Sequence, residues 1–352
     1  MIKTDIIIIG AGPVGLFTVF EAGLLKLKCH LIDALPQPGG QCAEIYPKKP
    51  IYDIPGYPSI IASELVEKLM KQIEPFSPGF TLGETAQTIE KGSDGDFIIH
   101  TSQGTAHKAP VVAIAGGLGV FTPRKPPIEN LSIFEKDNIH YIVKEPAIFN
   151  DKNIVISGGG DSALDWALYF AENFASSVKL IHRSENFRAH NDSVQKALEY
   201  ANDGKIEMIL NSQVSGISKN NDQIVLGVDS KNNEKFNITC DHWLPLFGLT
   251  PKLGPMGDWG LEIQKNAIKV DNSTDYSTNI DGIYAIGDVN TYQGKLKLIL
   301  CGFHEATLMC QSAYQRIFPD KKYVMKYTTV GGVDGFDGTR KEAEKAVVQA
   351  ID

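Results

Sequence analysis

The chain is short of cysteine, and none of what it has is spaced for chemistry. Its five thiols, Cys29, Cys42, Cys240, Cys301 and Cys310, are odd in number and include no Cys-x-x-Cys pair. That argues against a disulfide framework, a zinc cluster or a redox dithiol, and no metal site is expected. Free thiols in a chain of 352 residues suit a reducing cytoplasm. Basic residues are also in deficit, 34 against 42 acidic ones, for a formal charge of −8. A protein built to grip a phosphodiester backbone carries the opposite balance, so nucleic acid is disfavoured as a principal partner. A long hydrophobic run is missing too. The uncharged stretch from Ile6 to Phe20 falls short of the about 20 residues a membrane span needs. Glycine and proline break it, Glu21 closes it, and no cationic segment of the secretory kind precedes it. No membrane partner is expected, and no low-complexity segment appears.

Glycine is in mild excess, 33 residues of 352, against a usual level of about 7%. The positions are informative. Four isoleucines, Ile6 to Ile9, run directly into Gly10-Ala11-Gly12-Pro13-Val14-Gly15. A β-branched run apolar on both faces suits a parallel strand covered by helices on both sides. A helical stretch from Leu16 to Leu25 follows, then a second strand, Cys29 to Ile32, ending at Asp33. In this pattern Gly10 permits the tight turn, Gly12 lets a phosphate approach the backbone, and Gly15 lets the helix pack close to the strand. Asp33 lies 23 residues after Gly10, close to the roughly 20 expected for an acid that accepts from a ribose hydroxyl. The whole context, strand, loop, helix and acid, predicts a dinucleotide site.

The pattern repeats. Asn153 to Ser157 leads into Gly158-Gly159-Gly160-Asp161-Ser162-Ala163, a helical run to Phe174, and a strand from Ser177 to Ile181 that ends at His182-Arg183. The position matching Asp33 is 158 + 23 = 181, and no acid stands there or in the next two places. Arginine suits a 2′-phosphate, because its planar fork of donors matches the phosphate oxygens. Arg188 follows five residues later, so NADPH is favoured over NADH at this loop. A third signal, Gly282 to Asp288, is an apolar strand ending in Gly-Asp; Asp288 suits either a flavin ribityl hydroxyl or a turn. The fold class expected is α/β with two Rossmann-like, three-layer dinucleotide-binding domains. Residues 1–120 and 282–330 form a discontinuous FAD-binding domain, 121–281 the NADPH-binding domain, and 331–352 a tail.

These segments, with Pro38-Gly39-Gly40-Gln41-Cys42 running to Tyr46-Pro47, Tyr52-Asp53-Ile54-Pro55-Gly56 and Ala285-Ile286-Gly287-Asp288-Val289, resemble the low-molecular-weight thioredoxin reductase group. Within that group the chain most resembles the thioredoxin-reductase-like (type 2) ferredoxin–NADP reductases. The departure from thioredoxin reductases is the absent Cys-x-x-Cys upstream of the second loop, where Ile139 to Pro146 contains no cysteine. Without a dithiol, electrons cannot pass to a protein disulfide by the usual exchange. Cys42 reads as a small buried hydrophobe.

The resemblance implies that Asp33, Gln41, Tyr46, Ala86, Phe121, Asp288 and Thr329 contact FAD. It further implies that Tyr46 and Tyr327 cover the two faces of the flavin ring, although Tyr327 reads equally as a half-buried anchor for the tail; the residues of the second loop expected to hold NADPH are Gly158, Gly160, Asp161, Ser162, His182, Arg183 and Arg188. The second arginine usual in the family after the histidine is here Ser184. It implies a homodimer that passes hydride from NADPH to the flavin and then single electrons to ferredoxin or flavodoxin, with no conventional catalytic side chain. Lys48, Lys49, Arg124, Lys125, Lys295 and Lys297 are candidates for a basic docking face. Rival readings are an NAD(P)H oxidase or disulfide-carrier reductase of the same fold, and a low-turnover flavin sensor.

Overall fold

The computed structural model describes residues 1–119, 122–135, 137–173, 175–250, 252–321 and 328–333. Chain contacts divide it into two units, residues 1–120 with 251–352, and residues 121–250.

The isoleucine run is the central strand of the first unit. Ile6–Ile9 is flanked by parallel neighbours in a five-stranded sheet ordered Ile283–Ala285, Val111–Ile114, Ile6–Ile9, Cys29–Asp33, Gly79–Leu82. All four isoleucines are buried, as a strand covered on both faces requires. One helix of the cover, Pro13–Leu24, begins earlier than the sequence pattern indicated, because Pro13 at its start has its φ already set for helix. It packs against Ala62–Ile73 and Ile299–Ile317. The crossing from Leu82 to Val111 is a meander, Ala86–Lys91, Phe97–Thr101 and Ala106–Ala109, joined at its edge by Ile2–Lys3. Phe97, Ile99 and Ala109 join the core of the large sheet, so strands supply the third layer.

The second unit has a four-stranded parallel sheet ordered Glu207–Ile209, Ser177–Ile181, Asn153–Ser157, His242–Pro245. Alternate residues feed two cores. Ile154, Ile156, Leu180 and Leu244 pack with the helices Asp161–Asn173 and Asn191–Asn202. Val155, Ile181 and Trp243 pack with the meander Ser212–Asn220, Gln223–Ser230 and Lys235–Cys240. The same three-layer plan is used twice.

One expected boundary is wrong. The return crossing lies at Thr250/Pro251, not at 281/282. The Pro- and Asp-containing turns around 271–281 resembled a crossing, yet Met256, Trp259, Leu261, Ile268, Val270 and Tyr276 belong to the first core. The Trp259 indole N–H also donates to the Gln87 carbonyl, 3.0 Å away, inside that unit. Of the 331–352 tail, residues from 334 onward lie outside the described residues.

Candidate functional site

In the first unit, the polar residues singled out by the sequence gather at the carboxyl ends of the parallel strands, where open α/β sheets bind ligands. Gly10 follows Ile9 with φ +107°, and a Cβ there would lie 2.4 Å from the Ala115 carbonyl oxygen. Gly15 is tighter still: a Cβ would stand 2.0 Å from the Gly10 oxygen. Gly12, by contrast, has room for a Cβ, its nearest neighbour being the Gly40 Cα at 3.9 Å. A gap at the second glycine and none at the first and third is the steric pattern that lets an anion reach the backbone. No side chain caps the helix that starts after Gly12, so its dipole end is free to meet that anion.

Asp33 ends the neighbouring strand. Its Oδ2 accepts from the Ala11 N–H at 2.6 Å and its Oδ1 from the Leu35 N–H at 2.8 Å. Burial raises the pKa of this carboxyl above its usual value, and the two amide donors oppose that shift. The carboxylate therefore shapes the loop as well as facing it. The Gly39-Gly40 turn is tied in by the Gly39 N–H to the Ala11 carbonyl at 2.8 Å. Gln41 opens the short helix Gln41–Glu44, and its Nε2 lies 3.5 Å from where Gly117 would carry a Cβ. Cys42 is buried, and its thiol is pushed up to about 11, mainly by burial. Tyr46 packs half-buried on the core, with its hydroxyl held protonated by burial. Asp288 follows Gly287 beyond Ile283–Ala285; burial raises it, and Lys295 and Lys297 counteract.

The loop before Ala86 is tied to the Asp33 strand end, the Glu84 N–H donating to the Asp33 carbonyl at 3.1 Å. Ala86 is buried at the start of a meander strand. Thr329 is exposed on the single turn Thr328–Gly331. Phe121 and Tyr327 lie outside the described residues. Lys295 is corrected as a docking candidate: its side chain is 6% exposed and pairs with Glu305. Glu305, Asn290 and Tyr292 were missed. The available signal was an acid on the same helical face as Gly302 and Met309.

In the second unit a cavity of about 460 Å³ opens beside the second loop, lined by Gly158, Gly159, His182, Arg183, Ser184 and Arg188 among others. A Cβ on Gly159 would meet the His182 ring at 2.1 Å, whereas Gly160 has nothing within 4 Å. His182 stacks on Phe187, and its Nε2 lies 3.1 Å from the Asn186 carbonyl. Ser184 Oγ donates to the same carbonyl at 3.0 Å, and the Arg188 N–H donates to Gly159 at 2.7 Å. Burial, followed by Arg183, Arg188 and Lys231, favours the neutral form of His182. Arg183 and Arg188 are exposed at the mouth. Asp161 and Ser162 start the helix without lining the cavity, and Asp161 accepts from the His190 N–H at 2.8 Å. Both loops thus share one steric pattern, a crowded first glycine and a roomier glycine two residues on.

Two nucleotide-type sheets, one inserted into the other, define a class of two-domain α/β redox protein. The model of one family, pyridine nucleotide-disulphide oxidoreductase, matches residues 4–306, and the chain belongs to that family. It is 67% identical to "Ferredoxin--NADP reductase 2" of Christiangramia forsetii, over 100% of this chain and 99% of the relative. It is 65% identical to "Ferredoxin--NADP reductase" of Flavobacterium johnsoniae over 100% of each. Among solved structures, thioredoxin reductase of Lactococcus lactis superposes with a TM-score of 0.77 at 26% identity, over 90% of this chain and 100% of that one. The T. acidophilum thioredoxin reductase gives 0.76 at 23% identity, over 90% of this chain and 99% of that one, a likeness of fold.

Proposed function

We propose that this chain is an FAD-dependent ferredoxin–NADP reductase. The observation that carries the reading is the difference in sign at the ends of two matching strands: Asp33 ends the second strand of one unit, and Arg183 follows two residues after that of the other, which ends at Ile181. An acid accepts from an unmodified ribose, and a guanidinium binds a 2′-phosphate, so the two loops suit different dinucleotides. The names of relatives 63–67% identical support the activity, and the absent Cys-x-x-Cys argues against a dithiol relay.

In this reading Gly10, Gly12 and Gly15 shape the pyrophosphate cradle and Asp33 orients the adenosine ribose. Gln41, Tyr46, Ala86, Phe121, Asp288 and Thr329 complete the flavin site. Gly158 and Gly160 form the NADPH cradle, Asp161 and Ser162 open its helix, and His182, Arg183 and Arg188 hold the 2′-phosphate. Ser184 donates no cation, so phosphate selectivity rests on Arg183 and Arg188. Held by these residues, FAD would supply the chemistry that joins a two-electron donor to a one-electron acceptor. The side chains position the two cofactors and keep water from the ring faces. A cytoplasmic homodimer belongs to the same reading; the odd number of cysteines without a Cys-x-x-Cys pair suits the reducing compartment.

The test is the visible spectrum of the purified protein, then anaerobic titration with NADPH and NADH. Reduction of cytochrome c with and without ferredoxin follows. A flavin spectrum bleached by NADPH well before NADH, with cytochrome reduction that needs ferredoxin, is expected. A colourless protein that FAD does not reconstitute sinks the reading. Turnover indifferent to ferredoxin favours an oxidase, and flavin that stays oxidised favours a sensor.

A further inference from the structure

Among the described residues, the buried polar groups include a single carboxylate, Glu305, 1% exposed on the helix Ile299–Ile317. Every group that donates to it comes from one segment. Oε2 accepts from the Gly287 N–H at 2.6 Å and from Asn290 Nδ2 at 2.9 Å. Oε1 accepts from the Tyr292 hydroxyl at 2.8 Å and from Lys295. Asn290 Nδ2 also donates to the Ala285 carbonyl at 2.9 Å, binding the segment back to the end of its own strand. The 287–295 segment is thus folded around one carboxylate.

The charge pair by itself adds little net stability. Desolvating an acid and an ammonium offsets most of their attraction, and apolar residues of equal volume often serve as well. What the carboxylate does specifically is hold the amide of Gly287, the residue that turns the chain, with φ +75°, immediately before Asp288. Gly287 is also wedged against Val14 of the first loop helix, 3.3 Å from where its Cβ would be. Its orientation is therefore set from two sides, by packing and by one hydrogen bond.

We infer that Glu305 is a positioning residue of the flavin site, which fixes the Gly287 turn through its amide and so aims Asp288, while Lys295 neutralises the buried charge. The inference rests on the assignment of Asp288 to FAD made above. It predicts that the acceptor oxygen at position 305, more than its charge, governs flavin retention.

Three variants of the holoenzyme decide it: E305D, K295M/E305Q and K295M/E305M. The shorter side chain of E305D withdraws the acceptor from Gly287 and keeps the charge. Both double variants remove the charge pair, and only the glutamine keeps an oxygen for the amide. FAD release on dilution is followed by the recovery of flavin fluorescence, and NADP⁺ affinity of the second unit is measured alongside. K295M/E305Q should hold FAD within about threefold of wild type, and E305D and K295M/E305M should release it about tenfold more readily, the cost of one unsatisfied buried donor. NADP⁺ affinity should stay unchanged throughout.

Equal FAD affinity in K295M/E305Q and K295M/E305M overturns the inference, as does E305D matching wild type. Loss of NADP⁺ affinity in step with FAD overturns it too, since the residue would then merely hold the fold. Should the double variants not fold, E305D decides alone. A wild-type protein that binds no FAD instead overturns the reading on which the inference rests.

Discussion

Gly15 and Ala163 occupy the same place in two copies of one motif, each five residues after the first glycine of its loop. A Cβ on Gly15 would lie 2.0 Å from a backbone oxygen, whereas Ala163 carries a Cβ that its unit accommodates. The first unit presses its helix onto its strand and the second stands slightly apart. The partner residues differ as well. Asp33 is buried and bonded to two amides of its own loop, while Arg183 and Arg188 are exposed at a cavity mouth. One site is built into the fold, and the other is laid on its surface. That is what a resident cofactor and an exchanging one would each require.

The largest effect should come from forcing the two helices to the same distance. G15A should destabilise the first unit by more than about 3 kcal/mol, because a backbone atom must move. A163G should cost only about 1 kcal/mol of helix propensity. Urea unfolding with flavin content as a second readout checks both, and a G15A protein as stable as wild type would break the comparison.

Acid should next reveal a trait the units share. Burial, helped by His30, pushes His107 down to about 4, and burial, helped by His242, does the same to His140. In the unfolded chain each takes up its proton near pH 6.5, and in the folded chain only near 4. Stability is therefore complete above about pH 6.5 and declines as pH falls toward 4, by up to about 3 kcal/mol for fully buried His107. Trp259 reports on the first unit and Trp243 on the second. Unfolding midpoints by fluorescence at pH 7.5 and 5 check the sign, and no loss at pH 5 refutes it.

Exchanging partner charge tests the contrast of built-in and laid-on sites. D33N should lower stability by about 1–3 kcal/mol, since an amide cannot accept from both Ala11 and Leu35. R183A should leave stability unchanged and raise the KM for NADPH about tenfold with NADH unaffected, the loss of a charge-assisted bond. Urea melts paired with steady-state kinetics separate the two; a fall in R183A stability equal to that of D33N would erase the distinction. The smallest effect belongs to G160A, which has room for its methyl. Its melt should match wild type while NADP⁺ affinity falls several-fold, about 1 kcal/mol. Unchanged affinity would mean that no phosphate approaches there.

Much of this was readable along the chain because each nucleotide loop is local. Strand, glycines, helix and partner residue lie within about 30 residues of one another, and spacing alone predicts their order. The second crossing was misplaced because turn-forming residues around 271–281 carry the same local signal whether they end a domain or fold within one. Burial of Trp259 against the first core is a long-range fact. Lys295 was misread for the same reason: its partner Glu305 stands ten residues away on a helix, and only packing shows that both are out of water.

The sequence by itself determined the two glycine loops, the opposite residues that follow them and the absence of a Cys-x-x-Cys pair, since all three depend on residue type and near spacing. Tertiary structure decided which glycines are crowded, where the inserted unit ends and which charges are buried. Those follow from close packing between segments far apart in the chain, a short-range force acting on neighbours that sequence order does not reveal.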